Sequence, residues 1–226
     1  MSIIYHRQAN KMTYAEFIEN RIYEYGYGAP IYTGTIAQEL SAEFQMPVKE
    51  AASAVSVALK RLIDRKAVPE LRCFQKGIYY RAKATPFGET GINKNTLIAD
   101  KYLAGDNGYE TGLALLHHIG LTTQIPAEKV FATNRASGCI RADKALGVSV
   151  CPPKVRINAE NKPYLQTLDA IDAMAKAPVD AERPYLLLAD HIQKAELDYG
   201  KLLALAEKYY SKNTVLNLAH IAGERM

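Results

Sequence analysis

Residues 33–66 read TGTIAQELSAEFQMPVKEAASAVSVALKRLIDRK. The spacing predicts two helices joined by a short turn. In the first, Gly34 to Phe44, Thr33 stands as N-cap and Ile36, Ala37, Leu40 and Phe44 share one face. Gln45-Met46 interrupts that pattern, and Pro47 suits the first turn of a new helix, where its missing N–H costs nothing. In the second helix Ala51, Val55, Leu59, Leu62 and the stem of Lys66 fall on one side. The opposite side shows Lys49, Glu50, Ser53, Val57, Lys60 and Arg61. Small polar groups at the front of a helix with cations behind them suit entry into a DNA major groove. The stretch therefore predicts a helix-turn-helix.

Working outward, Thr13-Tyr14-Ala15-Glu16 is a capping box, and Phe17, Ile18, Ile22 and Tyr25 form the buried stripe of the helix it opens. Gly26, Gly28 and Pro30 end that helix, and Ile31-Tyr32 predicts a short strand. Residues 1–12 are polar and unpatterned and are expected to be a loosely held tail. Downstream, Val68 to Phe74 and Ile78 to Arg81 are β-prone runs separated by Gln75-Lys76-Gly77, a hairpin signal in which Gly77 supplies the positive φ. Three helices followed by a two-stranded hairpin is the order of a winged helix-turn-helix, expected over residues 1–84. On that reading Ser53 and Val57 face base edges, Lys49, Lys60, Arg61 and Lys76 meet phosphates or bases, and Gln75 stands beside Lys76 at the wing tip.

Charge distribution points the same way. The whole chain of 226 residues carries a net charge of only +4. Residues 45–84 hold 9 cations and 3 anions, whereas residues 85–226 hold 16 of each. Such an asymmetry attracts a polyanion far better than the whole-chain figure implies. Apolar residues at 48% and charged residues at 23% are ordinary for a globular protein. No apolar run approaches the roughly 20 residues of a membrane span, and the N-terminus lacks the apolar core of a signal peptide. Cys73, Cys139 and Cys151, scattered and odd in number, argue against a disulfide framework. The expected compartment is the cytoplasm, with no membrane partner.

After Thr85-Pro86-Phe87-Gly88 the character changes, and residues 89–95 read as a polar linker into a second domain, 85–226. Asn95 or Thr96 is expected to cap a helix reaching about Ala104, followed by a loop at 105–108 and an apolar helix from Thr111 to Ile119. Short strands are expected at 122–124, 129–133, 138–141, 148–151 and 154–157. Asn161 and Pro163 open an amphipathic helix carrying Leu165, Leu168, Ile171 and Met174, Pro178 and Pro184 bracket a loop, and helices at about 186–195, 197–210 and 214–222 finish the chain. The fold class is thus α+β: an N-terminal winged helix-turn-helix, then a mixed α/β domain ending in helices.

Enzymatic signals are missing. His117-His118 are adjacent, point about 100° apart on a helix, and do not chelate one metal together. Asp169 and Asp172 lie three apart without a further acidic or histidine motif, which reads as a solvated helix face. The glycines of residues 105–112 lack the Lys-Ser/Thr of a phosphate loop and the spacing of a dinucleotide fingerprint. No nucleophile elbow is present. Neither catalytic residues, nor metal ligands, nor a cofactor are expected.

The residues also carry a family resemblance. Ala54 to Leu62 (AVSVALKRL) with Gly77 to Tyr80 (GIYY) resembles the N-terminal domain of AbiEi-type antitoxins. Thr85 to Gly88 (TPFG), Tyr109 to Leu116 (YETGLALL), Gly120 to Pro126 (GLTTQIP), Tyr164 to Ile171 (YLQTLDAI) and Leu205 to Tyr210 (LAEKYY) extend the similarity over most of the chain, the Gly-Leu-Thr-Thr-Gln-Ile-Pro run being the most specific. The resemblance implies the antitoxin of a prokaryotic type IV toxin–antitoxin operon. Such a protein binds double-stranded DNA at the inverted repeats of its own promoter, represses that operon, and opposes a nucleotidyltransferase-type toxin. The alternative is a winged-helix transcription regulator whose C-terminal domain senses a ligand or binds a protein partner.

Overall fold

The structure, a computed structural model, describes residues 12–224. The tail expected over residues 1–12 lies outside them except for Met12. The chain divides into two compact units, one ending at Thr96 and the other beginning at Leu97. Both mix helix and strand, so the class is α+β.

The first unit runs α1 (Tyr14–Glu24), β1 (Ile31–Tyr32), α2 (Thr33–Phe44), α3 (Val48–Asp64), β2 (Leu71–Gln75) and β3 (Ile78–Arg81). Thr13 and Glu16 close the expected capping box at α1, the Thr13 N–H donating to the Glu16 carboxylate at 2.8 Å. Thr33 is not the cap of α2: Tyr32 takes that position, and the Thr33 hydroxyl instead donates to the Gly77 carbonyl at 3.3 Å. The helix stops at Gln45, which sits at φ 51° and donates its N–H to Ser41. A left-handed residue there turns the chain sharply into α3, with Pro47 just before the first helical turn. α3 ends at Asp64, so Lys66 (φ 52°) lies beyond it and is exposed rather than packed along the helix.

Ile18, Ile22, Ile36, Leu40, Val55 and Leu59 are fully buried in one cluster that holds the three helices together, with Leu71 joining from β2. These belong to the expected apolar faces, whose other members Phe17, Tyr25, Phe44 and Leu62 pack against the cluster partly buried. Leu59→Ala removes a side chain from the middle of it. The expected loss is about 2–5 kcal/mol, read as a lowered urea midpoint for the first unit, and a midpoint equal to wild type would contradict this packing.

β3 is the centre of a three-stranded antiparallel sheet of order β1-β3-β2, with Ile31 opposite Tyr79 and Arg72 opposite Tyr80. The turn is two residues, Lys76-Gly77, with Gly77 at φ 85° and a register shift between Cys73 and Gln75. A second hairpin, β4 (Ala84–Thr85) with β5 (Gly88–Glu89), follows at once. It stays with the first unit, which is why the boundary falls after Thr96 and not at 84/85. Arg72 grips Glu89 through two guanidinium nitrogens, the Ala82 N–H donates to Glu70, and the Asn93 N–H donates to Gly28.

α4 (Lys94–Ile98) leads into the second unit, and Asn93, rather than Asn95 or Thr96, accepts from the Thr96 N–H at its start. A π-helical turn, Ala99–Leu103, continues it. β6 (Gly108–Thr111) occupies residues expected as loop and helix, and α5 (Leu113–Ile119) begins only after Gly112 at φ 68°. β7 (Lys129–Thr133), β8 (Arg141–Asp143) and β9 (Val148–Cys151) complete a mixed sheet of order β6-β7-β9-β8, in which β7 and β9 are parallel. Residues 122–124 and 154–157 are not strands, and the strand expected at 138–141 begins only at Arg141. α6 (Lys162–Met174), α7 (Pro184–Lys194), α8 (Tyr199–Tyr209) and α9 (Lys212–Gly223) form the helical end, and Pro184 opens α7 instead of closing a loop. Leu168, Ile171, Leu188, Ile192, Leu202 and Ile221 are fully buried among these helices. Tyr109, Ala132, Ile157 and Leu165 form a smaller cluster where the sheet meets α6.

Candidate nucleic-acid interface

Lys49, Ser53, Val57, Lys60 and Arg61 are all exposed along α3, and Gln75 and Lys76 are exposed at the β2–β3 turn. The helix turns them outward because its apolar stripe, Ala51, Val55 and Leu59, is fully buried on the other side. Thr33 anchors the turn bearing Lys76 to the start of α2 through its backbone N–H, which donates to the Gly77 carbonyl at 3.0 Å.

Within this set the structure draws distinctions that periodicity does not. Ser53 donates its hydroxyl to the Lys49 carbonyl at 3.1 Å, so its hydrogen is engaged within the helix while its lone pairs stay open. Ser53, Val57 and Arg61 line a groove of about 630 Å3 whose other wall includes Tyr14, Ala15 and Met46; Lys49 and Lys60 lie outside it. Val57, 48% exposed, thus has apolar neighbours across the groove. Glu50 and Asp64 are also exposed on α3 and reduce the local positive field.

The nine cations of residues 45–84 do not all face outward. Arg72 pairs with Glu89. Arg81 pairs with Glu70 at 2.8 Å, donates to the carbonyls of Tyr23 and Tyr25, and lies against the rings of Tyr23 and Tyr27 at 4.9 and 4.6 Å. Burial pushes the Glu70 carboxyl up, but a hydrogen bond from its own backbone N–H and the Arg81 guanidinium together hold it below its ordinary value. Among the described residues Lys49, Lys60, Arg61, Arg65, Lys66, Lys76 and Lys83 form no ion pair. Their charge is available to a polyanion.

In the second unit, Asp169 corrects an expectation. It does not stand on a solvated face: Tyr210 donates to one carboxylate oxygen at 2.7 Å, and Tyr109 and Thr111 donate to the other at 3.0 and 3.1 Å. Burial pushes the Asp169 carboxyl above its ordinary value, although these three donors pull it down. Burial pushes both tyrosine hydroxyls up as well, so they remain donors. Asp172, three residues on, pairs with Lys176 at 2.7 Å and accepts from Thr214 at 3.0 Å. Apart from Lys176, the partners of the two carboxylates come from β6, the end of α8 and α9 and lie more than forty residues away in sequence, so local spacing does not reveal this clasp on α6.

A pH dependence follows from Asp169. Its folded pKa is raised, so the folded state holds the proton more tightly than the unfolded state, and stability is lost as pH rises from the unfolded value of about 3.9 through the folded one. Asp169→Asn removes that segment. The difference in unfolding free energy between the two proteins is expected to shift in favour of the variant as pH rises above about 4, and a pH-independent difference would refute it.

His117 and His118 serve different contacts. His117 Nδ1 lies 3.1 Å from the Thr122 carbonyl, and His118 Nδ1 lies 2.7 Å from the Glu110 carboxylate, which Lys129 also approaches at 3.1 Å. Among the described residues no three His, Cys, Asp or Glu side chains are placed to hold a metal ion, and no helix is long and apolar enough to cross a membrane. Compared with known proteins, the chain matches no family model, and no curated protein matches it.

Proposed function

We propose that the first unit is a winged helix-turn-helix that binds double-stranded DNA, with α3 in the major groove and the β2–β3 turn as the wing. One observation carries this reading. Unpaired cations line the exposed side of α3 and the tip of the hairpin, within the element order α1-β1-α2-α3-β2-β3 and a sheet of order β1-β3-β2. Lys60 and Lys49 act as phosphate contacts, Ser53 and Val57 meet base edges, Arg61 acts from the groove side, and Gln75 and Lys76 contact the backbone beside the wing. The chain has no enzymatic role in this reading and needs no cofactor.

The similarity to AbiEi-type antitoxins supports the biological assignment: a cytoplasmic antitoxin that represses its own operon at inverted repeats and opposes a nucleotidyltransferase-type toxin. Two measurements test the parts separately. A gel shift with the chain's own upstream inverted repeat is expected to show a complex at modest salt, and no complex with any upstream repeat would end the autorepressor reading. Co-expression with the neighbouring toxin gene is expected to restore growth, and persistent arrest would remove the antitoxin role while leaving DNA binding standing.

A further inference from the structure

The second unit is electrically neutral as a whole, yet residues 129–156 contain six cations (Lys129, Arg135, Arg141, Lys144, Lys154 and Arg156) against one anion, Asp143. Three of them gather at one place. A cavity of about 630 Å3 beside β8 is lined by Lys101, Tyr102, Arg135, Arg141, Asp143 and Lys144. That volume lies in the range of small-ligand pockets.

Asp143 does not neutralise the cluster, because its charge is matched by Lys101 in the same lining, which leaves Arg135, Arg141 and Lys144 in excess. One of its oxygens accepts from Lys101 at 2.7 Å and from the Tyr102 hydroxyl at 2.8 Å, and the other accepts from the Leu146 N–H at 3.2 Å. Among the described residues Arg135, Arg141 and Lys144 have no carboxylate partner. The Arg141 guanidinium donates to the Arg135 carbonyl at 3.4 Å, which holds the two arginines at one edge of the cavity. Like charges gathered without a counter-charge repel, and an anion between them reverses the sign of that interaction. The cavity wall that carries Lys101 and Tyr102 is the π-helical turn, a local irregularity that frequently accompanies functional positions. Tyr102 itself is buried at 4% exposure with its hydroxyl on Asp143, so no aromatic face is offered for stacking a base.

We propose that this cavity binds phosphate oxyanions, with the guanidinium groups of Arg135 and Arg141 as paired forks and the Lys144 ammonium as a third cation. The phosphates come either from a small phosphorylated ligand or from a nucleic-acid backbone. The site is independent of α3 and stands whether or not α3 binds DNA.

The test uses the full chain carrying Lys60→Ala and Arg61→Ala, so that α3 contributes little. Inorganic pyrophosphate is titrated by calorimetry, and a labelled single-stranded 12-nucleotide probe by fluorescence anisotropy, each with and without Arg135→Gln/Arg141→Gln. At least one probe is expected to bind, and the double substitution to weaken it by tenfold or more. Pyrophosphate binding identifies a small phosphorylated ligand, and binding of the oligonucleotide alone identifies a strand backbone. Lys144→Gln, which leaves the Arg141–Arg135 contact untouched, is expected to weaken the same probe several-fold and decides the matter if the double variant melts early. Binding of neither probe, or binding unchanged by both variants, overturns the proposal.

Discussion

On the proposed DNA-binding reading, replacing Lys60 and Arg61 by alanine is expected to weaken binding to the upstream inverted repeat by about thirtyfold at 0.15 M salt. The figure follows from counter-ion release. Each phosphate contact contributes about 0.9 to the slope of log affinity against log salt, worth roughly fivefold between 0.15 M and 1 M salt, and two contacts multiply. The slope itself should become shallower by about 1.8, uniformly across DNA sequences, since phosphate contacts carry no base information. The single variants divide this effect informatively. Lys60 stands clear of the groove between α3 and α1, whereas Arg61 lines it, so Lys60→Ala is expected to remove one full contact from the slope. An unchanged slope in the double variant would remove α3 from the DNA interface. Both side chains are exposed and form no ion pair among the described residues, so thermal stability should stay near wild type and a loss of binding cannot be assigned to unfolding.

The second large effect is expected in the other unit. Gly108 begins β6 and pairs with Thr133 of β7. A Cβ at this position would stand 2.3 Å from the Tyr102 carbonyl oxygen and 2.8 Å from the Ala132 carbonyl oxygen. Both obstacles are backbone, which cannot rotate away as a side-chain tip can. Gly108→Ala must therefore shift β6 from its neighbour or displace the π-helical turn, and is expected to cost at least about 3 kcal/mol, the upper end for overpacking. A fall in the unfolding midpoint of the second unit measures it. Gly91→Ala serves as the control, because it is exposed, meets nothing within 4 Å and has ordinary backbone angles, and it should be close to neutral. A Gly108→Ala protein as stable as that control would contradict the close approach. The glycine-rich run at 105–112 thus has at least one member whose reason is backbone contact, with no phosphate needed to explain it.

Much of the first unit was legible because its information is local. The stripe of Ile18 and Ile22, the stripe of Ile36 and Leu40, and the stripe of Val55 and Leu59 each recur at helical spacing, and each is buried as that spacing requires. The hairpin was legible from Gly77 between two β-prone runs. The misplacements have identifiable causes. Thr33 looks like a cap but finds a partner in Gly77, forty-four residues away. Thr111 looks like the start of an apolar helix, but the pairing of Gly108–Thr111 with β7 and the positive φ of Gly112 make it the end of a strand followed by a break. The unit boundary moved past residue 84 because Arg72 binds Glu89, a pairing with no signature in either local stretch.

By itself the sequence determined the apolar faces that build three helices, the position of the hairpin turn and the concentration of cations between residues 45 and 84, since periodicity, turn chemistry and charge are properties of neighbouring residues. Only the tertiary structure decided which cations are paired, turning Arg72 toward Glu89 and Arg81 toward Glu70, while Lys60 and Lys76 form no ion pair among the described residues. It also decided that Asp169 is a half-buried acceptor for Tyr109 and Tyr210, and that Arg135, Arg141 and Lys144 share a cavity wall. The physical reason is common to all of these. A charge acquires its role from the groups that surround it in space, and those groups arrive from distant parts of the chain only when the core brings them together.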